Sequence, residues 1–295
     1  MDTLRMLKTF ISVAEHASFA EAGRQHNMSP TTVSRAVAAL EADLGIQLLM
    51  RTTRSVRLTD EGTDFLARCR AGIDEIDGAF AMVRGGRSMP SGILTVTAPV
   101  MFGRLHVLPV VIELSRLYPD LQVKLLLLDR VVNLIDEGID VAVRIADLPD
   151  SGLHMLRLGE VRRVFSASPA YLRARGTPAS LNELRDHDVI RVEDEYGTHR
   201  GWGLNAVNRS RRAARLSVNN MDTAIAAAVA GLGIVRTLSY QIAEEIAAGR
   251  LEPLTFDEAA PVLPISLLFQ SGRKDHPNVR AFVDTAKRHL RQASL

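Results

Sequence analysis

The stretch SFAEAGRQHNMSPTTVSRAVAALEADLG, residues 18–45, contains two helix starts in close succession and decides the N-terminal fold. Ser18 followed by Glu21 fits a capping box, in which the serine accepts from a backbone N–H and the glutamate reaches back, so a short helix is predicted there. Ser29 stands where an N-cap belongs, and Pro30 occupies the first helical position, whose N–H would be unpaired anyway. A second helix is therefore predicted from Pro30 to the closing glycine of the stretch.

This second helix has an apolar face and a polar N-terminal end. Its apolar face is formed by Val33, Val37, Leu40 and Leu44. Its N-terminal end carries on the other faces Thr31, Thr32, Ser34 and Arg35. The stripe can pack on the preceding helices, including an amphipathic one predicted over residues 4–15. Short hydroxyls allow close approach to a major groove and an arginine can contact a guanine edge or a phosphate, so the pattern indicates a helix-turn-helix that binds DNA.

The next segment, IQLLMRTTRSVRLT, predicts a β-hairpin with its turn at residues 52–55. No acidic residue stands between Asp43 and Asp60, whereas Arg51, Arg54 and Arg57 all fall there. The chain has a formal net charge of only +2, so this basic patch is a local feature. A plain three-helix core with hydroxyls on its outer faces is the alternative interpretation, but the attached basic hairpin favours a winged DNA-binding unit.

Residues 7–62 also resemble the LysR-type transcriptional regulators of bacteria, through an SPxxVSRxxxxLExxLG run and an RTTRSVxLTxxG wing. The resemblance implies a sequence-specific regulator that binds double-stranded DNA and is controlled by a small-molecule effector, with RNA polymerase as a further expected partner. It assigns recognition-helix contacts to Ser29, Pro30, Thr31, Ser34 and Arg35. It places Ser18 at the start of the second helix of the motif, and Arg51, Thr53 and Arg54 on the DNA backbone or minor groove.

After Asp60, apolar residues recur at alternating three- and four-residue steps, as in a coiled-coil seam. They are Leu66, Cys69, Ile73, Ile76, Phe80 and Val83. A helix over about 61–84 is predicted, about 36 Å long at about 1.5 Å per residue. Packing on its own chain is the alternative, but we favour dimerisation, which would place two recognition helices on a two-fold related site. The sequence supports at least a homodimer, and the resemblance suggests a tetramer built as a dimer of dimers.

From residue 93 onward, short apolar strands alternate with helices, which predicts an α/β architecture with mostly parallel sheets. Within it, VVNLIDEGI, residues 131–139, is predicted as a short helix. The resemblance implies two α/β subdomains like those of periplasmic solute-binding proteins, with the chain crossing near Arg163 and again near Ile265 and a ligand cleft between them. The predicted divisions are a winged helix-turn-helix at 1–59, a linker helix and hinge at 60–91, and an effector domain at 92–295, split into 92–163 with 266–295 and 164–265.

Ligands of open α/β sheets bind beyond the carboxyl ends of strands, beside helix N-termini. The candidate effector-binding residues at such ends are Thr97, Pro99, Val100, Met101, Leu128, Arg144, Asn220, Asp222 and Thr223. Arg144 and the helix start at 99–101 suggest a small organic anion. Asp222 and Thr223 are equally well explained as helix caps, and Arg144 as a structural ion-pair partner. Trp202, the single tryptophan, is expected in packing rather than in ligand stacking.

The sequence offers no pattern of an enzyme or a metal site. The segment GLGIVR lacks the third glycine of a dinucleotide fingerprint, no nucleophile elbow, phosphate loop or zinc-protease motif is present, and the eight histidines are scattered. We therefore expect no catalytic activity, metal or cofactor. Cys69 is the single cysteine and is expected to act as an apolar filler. With no signal-peptide pattern and no run of about 18 apolar residues, the expected location is cytoplasmic, and residues 1–60 argue against a solute-binding transport component.

Overall fold

The computed structural model describes residues 2–51, 56–83, 89–147, 152–193, 214–256 and 262–292. Thr53, Arg54, the predicted linker segment 84–88 and Trp202 lie outside the described residues, as do the side chains of Arg51, Phe80 and Val83. In the described part of the chain, no helix is both long and apolar enough to cross a bilayer.

The N-terminal region is a three-helix unit followed by a two-stranded hairpin and a long helix. Its elements are α1 (Thr3–His16), α2 (Phe19–His26), α3 (Pro30–Leu44), β1 (Leu49–Arg51), β2 (Val56–Leu58) and α4 (Asp60–Val83). Phe10 and Val13 of α1 and Val33, Val37 and Leu40 of α3 are buried in one core. Burying each such side chain stabilises the fold by about 1.5–3 kcal/mol. Three of the four predicted stripe residues of α3 therefore face inward, which leaves the polar N-terminal end of the helix outward. The prediction was wrong for Leu44, which is exposed in the last turn of the helix.

The stripe of α4 is partly covered within the chain, which corrects the expectation of a continuous seam. Leu66 packs against the N-terminal core, and Ile73 is buried. Cys69 is half-buried, and Ile76 is 42% exposed. The helix also contacts α1, β2 and a 3₁₀ turn at Ser271–Arg273. Part of the apolar face of α4 is therefore buried against other elements of the same chain.

The larger C-terminal region is built around one connected set of strands. Its helices are α5 (Val100–Phe102), continued by a π turn into α6 (Leu108–Leu117), then α7 (Pro169–Arg175), α8 (Met221–Val229), α9 (Ala243–Ala247) and α10 (Pro277–Gln292). Its strands are β3 (Gly92–Ala98), β4 (Leu121–Leu127), β5 (Val141–Ile145), β6 (His154–Ala167), β7 (Val189–Val192), β8 (Leu216–Val218), β9 (Ile234–Leu238), β10 (Glu252–Leu254) and β11 (Val262–Phe269).

The described strands follow the order β4-β3-β5-β11-β6-β9-β7-β8, with β10 paired to β6. β3 runs parallel to β4 and β5, and β7 runs parallel to β8 and β9. The two central strands, β6 and β11, are antiparallel to each other and to their outer neighbours. The prediction of mostly parallel sheets therefore holds only within each half. The long β6 pairs with β11 over residues 154–162 and with β9 over 163–166, so it belongs to both halves.

The segment predicted as a short helix at 131–139 forms turns instead. The Asn133 side chain accepts from the Ile135 N–H at 3.1 Å and donates to the Asp136 carboxylate at 2.5 Å. Gly138 has φ +61°, a left-handed conformation that favours glycine. An asparagine that bonds to the backbone just ahead of it competes with helix formation, and here it prevails over the apolar spacing.

Candidate DNA-binding and effector sites

The helix-turn-helix is shaped by local hydrogen bonds at its helix starts. Ser29 Oγ accepts from the Thr32 N–H at 3.1 Å and lies 2.8 Å from the Thr32 hydroxyl. Thr32 and Ser34 are half-buried, whereas Pro30, Thr31 and Arg35 are exposed. Ser29 and Thr32 thus serve the helix start, while exposed residues of the same end face outward for a partner.

At the start of α2, Ser18 Oγ accepts from the Glu21 N–H at 3.2 Å, as predicted. Glu21 does not complete the capping box, because its carboxylate binds Arg24 on the same helix, and this ion pair lowers the carboxyl pKa. Gly23 closes the turn toward α3, since a Cβ on it would lie 2.6 Å from the Met28 carbonyl oxygen. Sequence reasoning missed Gly23, although a glycine just before a turn is a recognisable signal for close backbone approach.

The hairpin is attached to α3 by one carboxylate. Glu41 Oε1 accepts from the N–H groups of Leu48 and Leu49, both at 3.0 Å. β1 and β2 then pair antiparallel, with Leu49 opposite Leu58. Arg57 is exposed on β2. The two strands of the hairpin therefore lie at a fixed position beside α3, and Glu41, which sequence reasoning did not single out, holds them there.

A cavity of about 490 Å³ lies between the two halves of the C-terminal region. Its polar lining consists of Asp129, Arg130, Arg144, Arg163, Asn219, Arg236, Thr237, Tyr240 and Gln241. Its apolar lining consists of Pro99, Leu128, Val131, Ile145, Ala146, Val192, Met221, Leu238 and Leu263. The volume suits a small organic ligand, and such sites commonly combine an apolar wall with a few convergent polar groups.

Three of the nine predicted effector residues line this cavity, namely Pro99, Leu128 and Arg144. Thr97 is buried, and its hydroxyl donates to the Leu126 carbonyl at 2.9 Å. Met101 is buried in the core. The predicted anion site at the helix start is filled by the protein itself, because the Val100 N–H donates to Asp129 Oδ1 at 3.1 Å.

The predicted residues at the start of α8, Asn220, Asp222 and Thr223, do not line the cavity either. Asn220 Oδ1 caps the helix by accepting from the Thr223 N–H at 3.0 Å, so the capping interpretation applies to this pair. Asp222 does not cap. Its carboxylate accepts from Arg104 Nη2 at 2.6 Å, in an exposed ion pair that joins the two halves. Prediction from strand ends failed here because caps and ion pairs use the same residue types as ligand sites.

The cavity contains buried donors that bind no described group. Arg144 Nη2, Arg236 Nε and Nη1, and Thr237 Oγ1 have no hydrogen-bond partner among the described residues. Burial lowers the pKa of Arg236 to about 10, with a smaller contribution from Arg163, and burial likewise lowers the pKa of Arg144. Both guanidinium groups stay charged at neutral pH. Buried donors are normally satisfied, so this cluster is the strongest chemical signal in the C-terminal region.

Sequence reasoning missed Arg236, Arg163 and Thr237. Arg236 stands in the apolar strand β9 as Arg144 stands in β5, so a lone arginine in a buried strand was an available signal. The glycine spacing of the segment GLGIVR does not by itself indicate this arginine. Arg236 also lies 5.6 Å from the Phe165 ring centroid, which supports the guanidinium from one side.

The described metal-ligating side chains and the Cys69 thiol give no comparable indication of a functional site. In the parts of the chain that the structure describes, no three His, Cys, Asp or Glu side chains are grouped as a metal site requires. Burial raises the pKa of the Cys69 thiol to about 11, so it is protonated at neutral pH and unreactive as a nucleophile.

A winged helix-turn-helix joined to a two-lobed domain with a ligand-sized cavity defines the class of ligand-responsive DNA-binding regulators. Two family models match the chain: "Bacterial regulatory helix-turn-helix protein, lysR family" over residues 4–63, and "LysR substrate binding domain" over residues 87–291. The chain belongs to the LysR family of bacterial transcriptional regulators.

Individual relatives agree with this assignment. The chain is 36% identical over 294 residues to the HTH-type transcriptional regulator PtxR of Pseudomonas aeruginosa, covering 97% of this chain and 93% of that protein. It is 31% identical over 282 residues to the transcriptional regulator CrgA of Neisseria meningitidis serogroup B, covering 94% of each. The solved structure of CrgA from Neisseria meningitidis matches with a TM-score of 0.58 at 27% identity, covering 98% of this chain and 99% of that one. A full-length OxyR variant from Pseudomonas aeruginosa has the same fold, with a TM-score of 0.74 at 17% identity, covering 100% of this chain and 96% of that one.

Proposed function

We propose that this regulator binds its operator as a homo-oligomer through the α3 end and the wing, and that a small organic anion in the cavity modulates this binding. The proposed units are the winged helix-turn-helix at 1–59, the linker at 60–91 and the effector domain at 92–295. The carrying observation is that two half-buried arginines, Arg144 and Arg236, line the cavity and that buried N–H donors of both have no hydrogen-bond partner among the described residues.

The DNA-contacting set that we propose is Ser18, Ser29, Pro30, Thr31, Thr32, Ser34, Arg35, Arg51, Thr53 and Arg54. The exposure of Thr31 and Arg35 at the start of α3 supports it, because base-edge contacts need side chains that reach past the helix surface. The helix start also offers its positive dipole end to a phosphate.

We propose that α4 mediates pairing of two copies. Support comes from Ile76, an apolar side chain of α4 that is 42% exposed. Two copies paired along α4 would present two recognition helices, which suits a two-fold related operator.

An anion in the cavity is supported by charge and burial together. A buried charge without a partner is destabilising, and a carboxylate that accepts two N–H bonds from a guanidinium group forms a strong, geometrically specific pair. Effector binding in the cavity would change the relation between the two halves, which meet at β6 and β11, and so couple the two sites.

Calorimetric titration with a panel of small carboxylic acids tests this proposal on the wild type, Arg236→Met and Arg157→Met. Arg157 is an exposed arginine of β6 that pairs with Glu160 outside the cavity, so its variant is the matched control. We expect at least one acid to bind the wild type and the control alike and to lose at least tenfold in affinity for Arg236→Met. Equal binding to all three proteins would remove Arg236 from the site.

A further inference from the structure

The cavity has an excess of positive charge. Among the described residues that line it, four are arginines, at 130, 144, 163 and 236, and Asp129 is the one carboxylate. Glu137 neutralises Arg130 from behind, with hydrogen bonds at 2.8 and 2.5 Å. Among the described groups, four guanidinium groups against two carboxylates leave two positive charges for a ligand to balance. A ligand with a single negative charge would leave one of them uncompensated in a partly desolvated site.

The unpartnered donors occupy two separate places. Arg144 lies on β5 in one half, and Arg236 lies on β9 in the other. β11 and β6 stand between these strands. Through Ser266 of β11, Arg144 is level with Arg157 of β6, whereas Arg236 pairs with Phe165, further along the same strand. One carboxylate has two oxygens, which accept the two parallel N–H bonds of one guanidinium group. Two guanidinium groups that belong to different halves of the domain therefore require two acidic groups on the ligand, one for each arginine.

Part of the wall between the two arginines is apolar, and Arg163 of β6 also lines the cavity there. Ile145 follows Arg144 on β5, Leu263 lies on β11, and Leu238 ends β9, and all three line the cavity. Thr237 adds a buried hydroxyl, without a described partner, next to Arg236. The apolar side chains between Arg144 and Arg236 would contact a hydrocarbon segment that links two acidic groups of a ligand.

We propose that the effector is an organic diacid, one carboxylate of which binds Arg144 while the other binds Arg236 beside Thr237, with an apolar segment between them. This inference rests on the proposed function, since it specifies the chemical class of the anion in the same cavity. A diacid that spans both halves fixes their relative position, whereas a monoacid held by one wall does not. Regulation by this ligand therefore depends on the separation of its acidic groups.

The test is a calorimetric titration of the full chain with straight-chain dicarboxylic acids of four to ten carbons, each compared with its own monoamide. The monoamide has the same length and shape but one charge fewer. At the fitting length we expect the diacid to bind at least tenfold more tightly than its monoamide. In both Arg144→Met and Arg236→Met this preference should disappear, and in Arg157→Met it should stay.

Two further variants keep the outcome interpretable. Arg236→Lys retains the charge but loses the fork, so it should bind the diacid more weakly than the wild type and more tightly than Arg236→Met. Thermal unfolding of every variant verifies that it is folded. Diacids and monoamides that bind equally well at every length would overturn the diacid proposal and leave the anion proposal standing. Failure of every acid to bind the folded wild type would overturn both.

Discussion

The recognition unit and the effector cavity satisfy their polar groups in opposite ways. Around α2 and α3, each polar group that shapes the fold finds a partner a few residues away: Ser18 with Glu21, Ser29 with Thr32, and Glu41 with the start of the wing. In the cavity, the donors of Arg144 and Arg236 have no partner in the part of the chain that the structure describes. The first region has its hydrogen bonds in place without DNA, whereas the second would gain bonds from the proposed ligand. Substitutions that disturb these local contacts should therefore lower the free energy of unfolding, whereas substitution of an unpartnered arginine in the cavity should raise it.

The largest effect is expected where the recognition unit depends on close backbone contact. In Gly23→Ala the new methyl group would meet the Met28 carbonyl oxygen at 2.6 Å, so the turn must open. We expect a loss of about 3 kcal/mol in the free energy of unfolding, from urea denaturation. Gly72→Ala is the control, because a Cβ at this exposed position of α4 meets no described atom within 4 Å. Similar unfolding curves for both variants would contradict the proposed tight turn.

The second effect concerns binding and leaves the fold intact. Arg35→Ala should weaken binding to the specific operator by about 1–3 kcal/mol if the arginine contacts a base edge. Arg24, exposed on α2 and bound to Glu21, offers the control variant Arg24→Ala. Fluorescence anisotropy on operator and random duplexes measures the difference. Equal losses on both duplexes would make Arg35 a phosphate contact.

In the cavity, removal of a charge should stabilise the ligand-free protein. We expect Arg236→Met to raise the free energy of unfolding by about 1–2 kcal/mol, because a buried charge without a partner is replaced by an apolar side chain. Burial lowers the pKa of Arg236 to about 10, so the folded state loses this proton before the unfolded state does as the pH rises. The wild type should thus regain stability relative to the variant as the pH rises through about 10. A stability difference that is constant between pH 7 and 11, or of opposite sign, would argue against a buried cationic Arg236.

The smallest effect is expected for the exposed ion pair between the halves. Asp222→Asn should change the free energy of unfolding by less than about 1 kcal/mol, since both side chains are well solvated. Thermal unfolding in low and high salt measures it. Salt should reduce the wild-type stability toward that of the variant, and a larger loss would mean that the pair holds the halves together.

Local patterns explain what the sequence could predict. Caps, an apolar stripe and a terminal glycine were enough for α2 and α3, because each signal acts within a few residues. The antiparallel course of β6 and β11 depends on pairing between residues about a hundred positions apart, which no local pattern encodes. The position of Arg144 at the carboxyl end of a predicted strand is enough to suggest it, whereas Arg236 lies within GLGIVR, whose glycine spacing does not indicate a ligand-binding arginine. The covered part of α4 could not be predicted, because a stripe of apolar residues does not identify what covers it.

The coupling of the two sites is tested most directly by titrating operator DNA with the protein in the presence and absence of a saturating acid from the calorimetric panel. We predict that the acid changes operator affinity by at least about fivefold and leaves the affinity for random duplex unchanged, and that Arg236→Met shows neither acid binding nor the shift. Identical operator affinity with and without an acid that calorimetry shows to be bound would contradict the account.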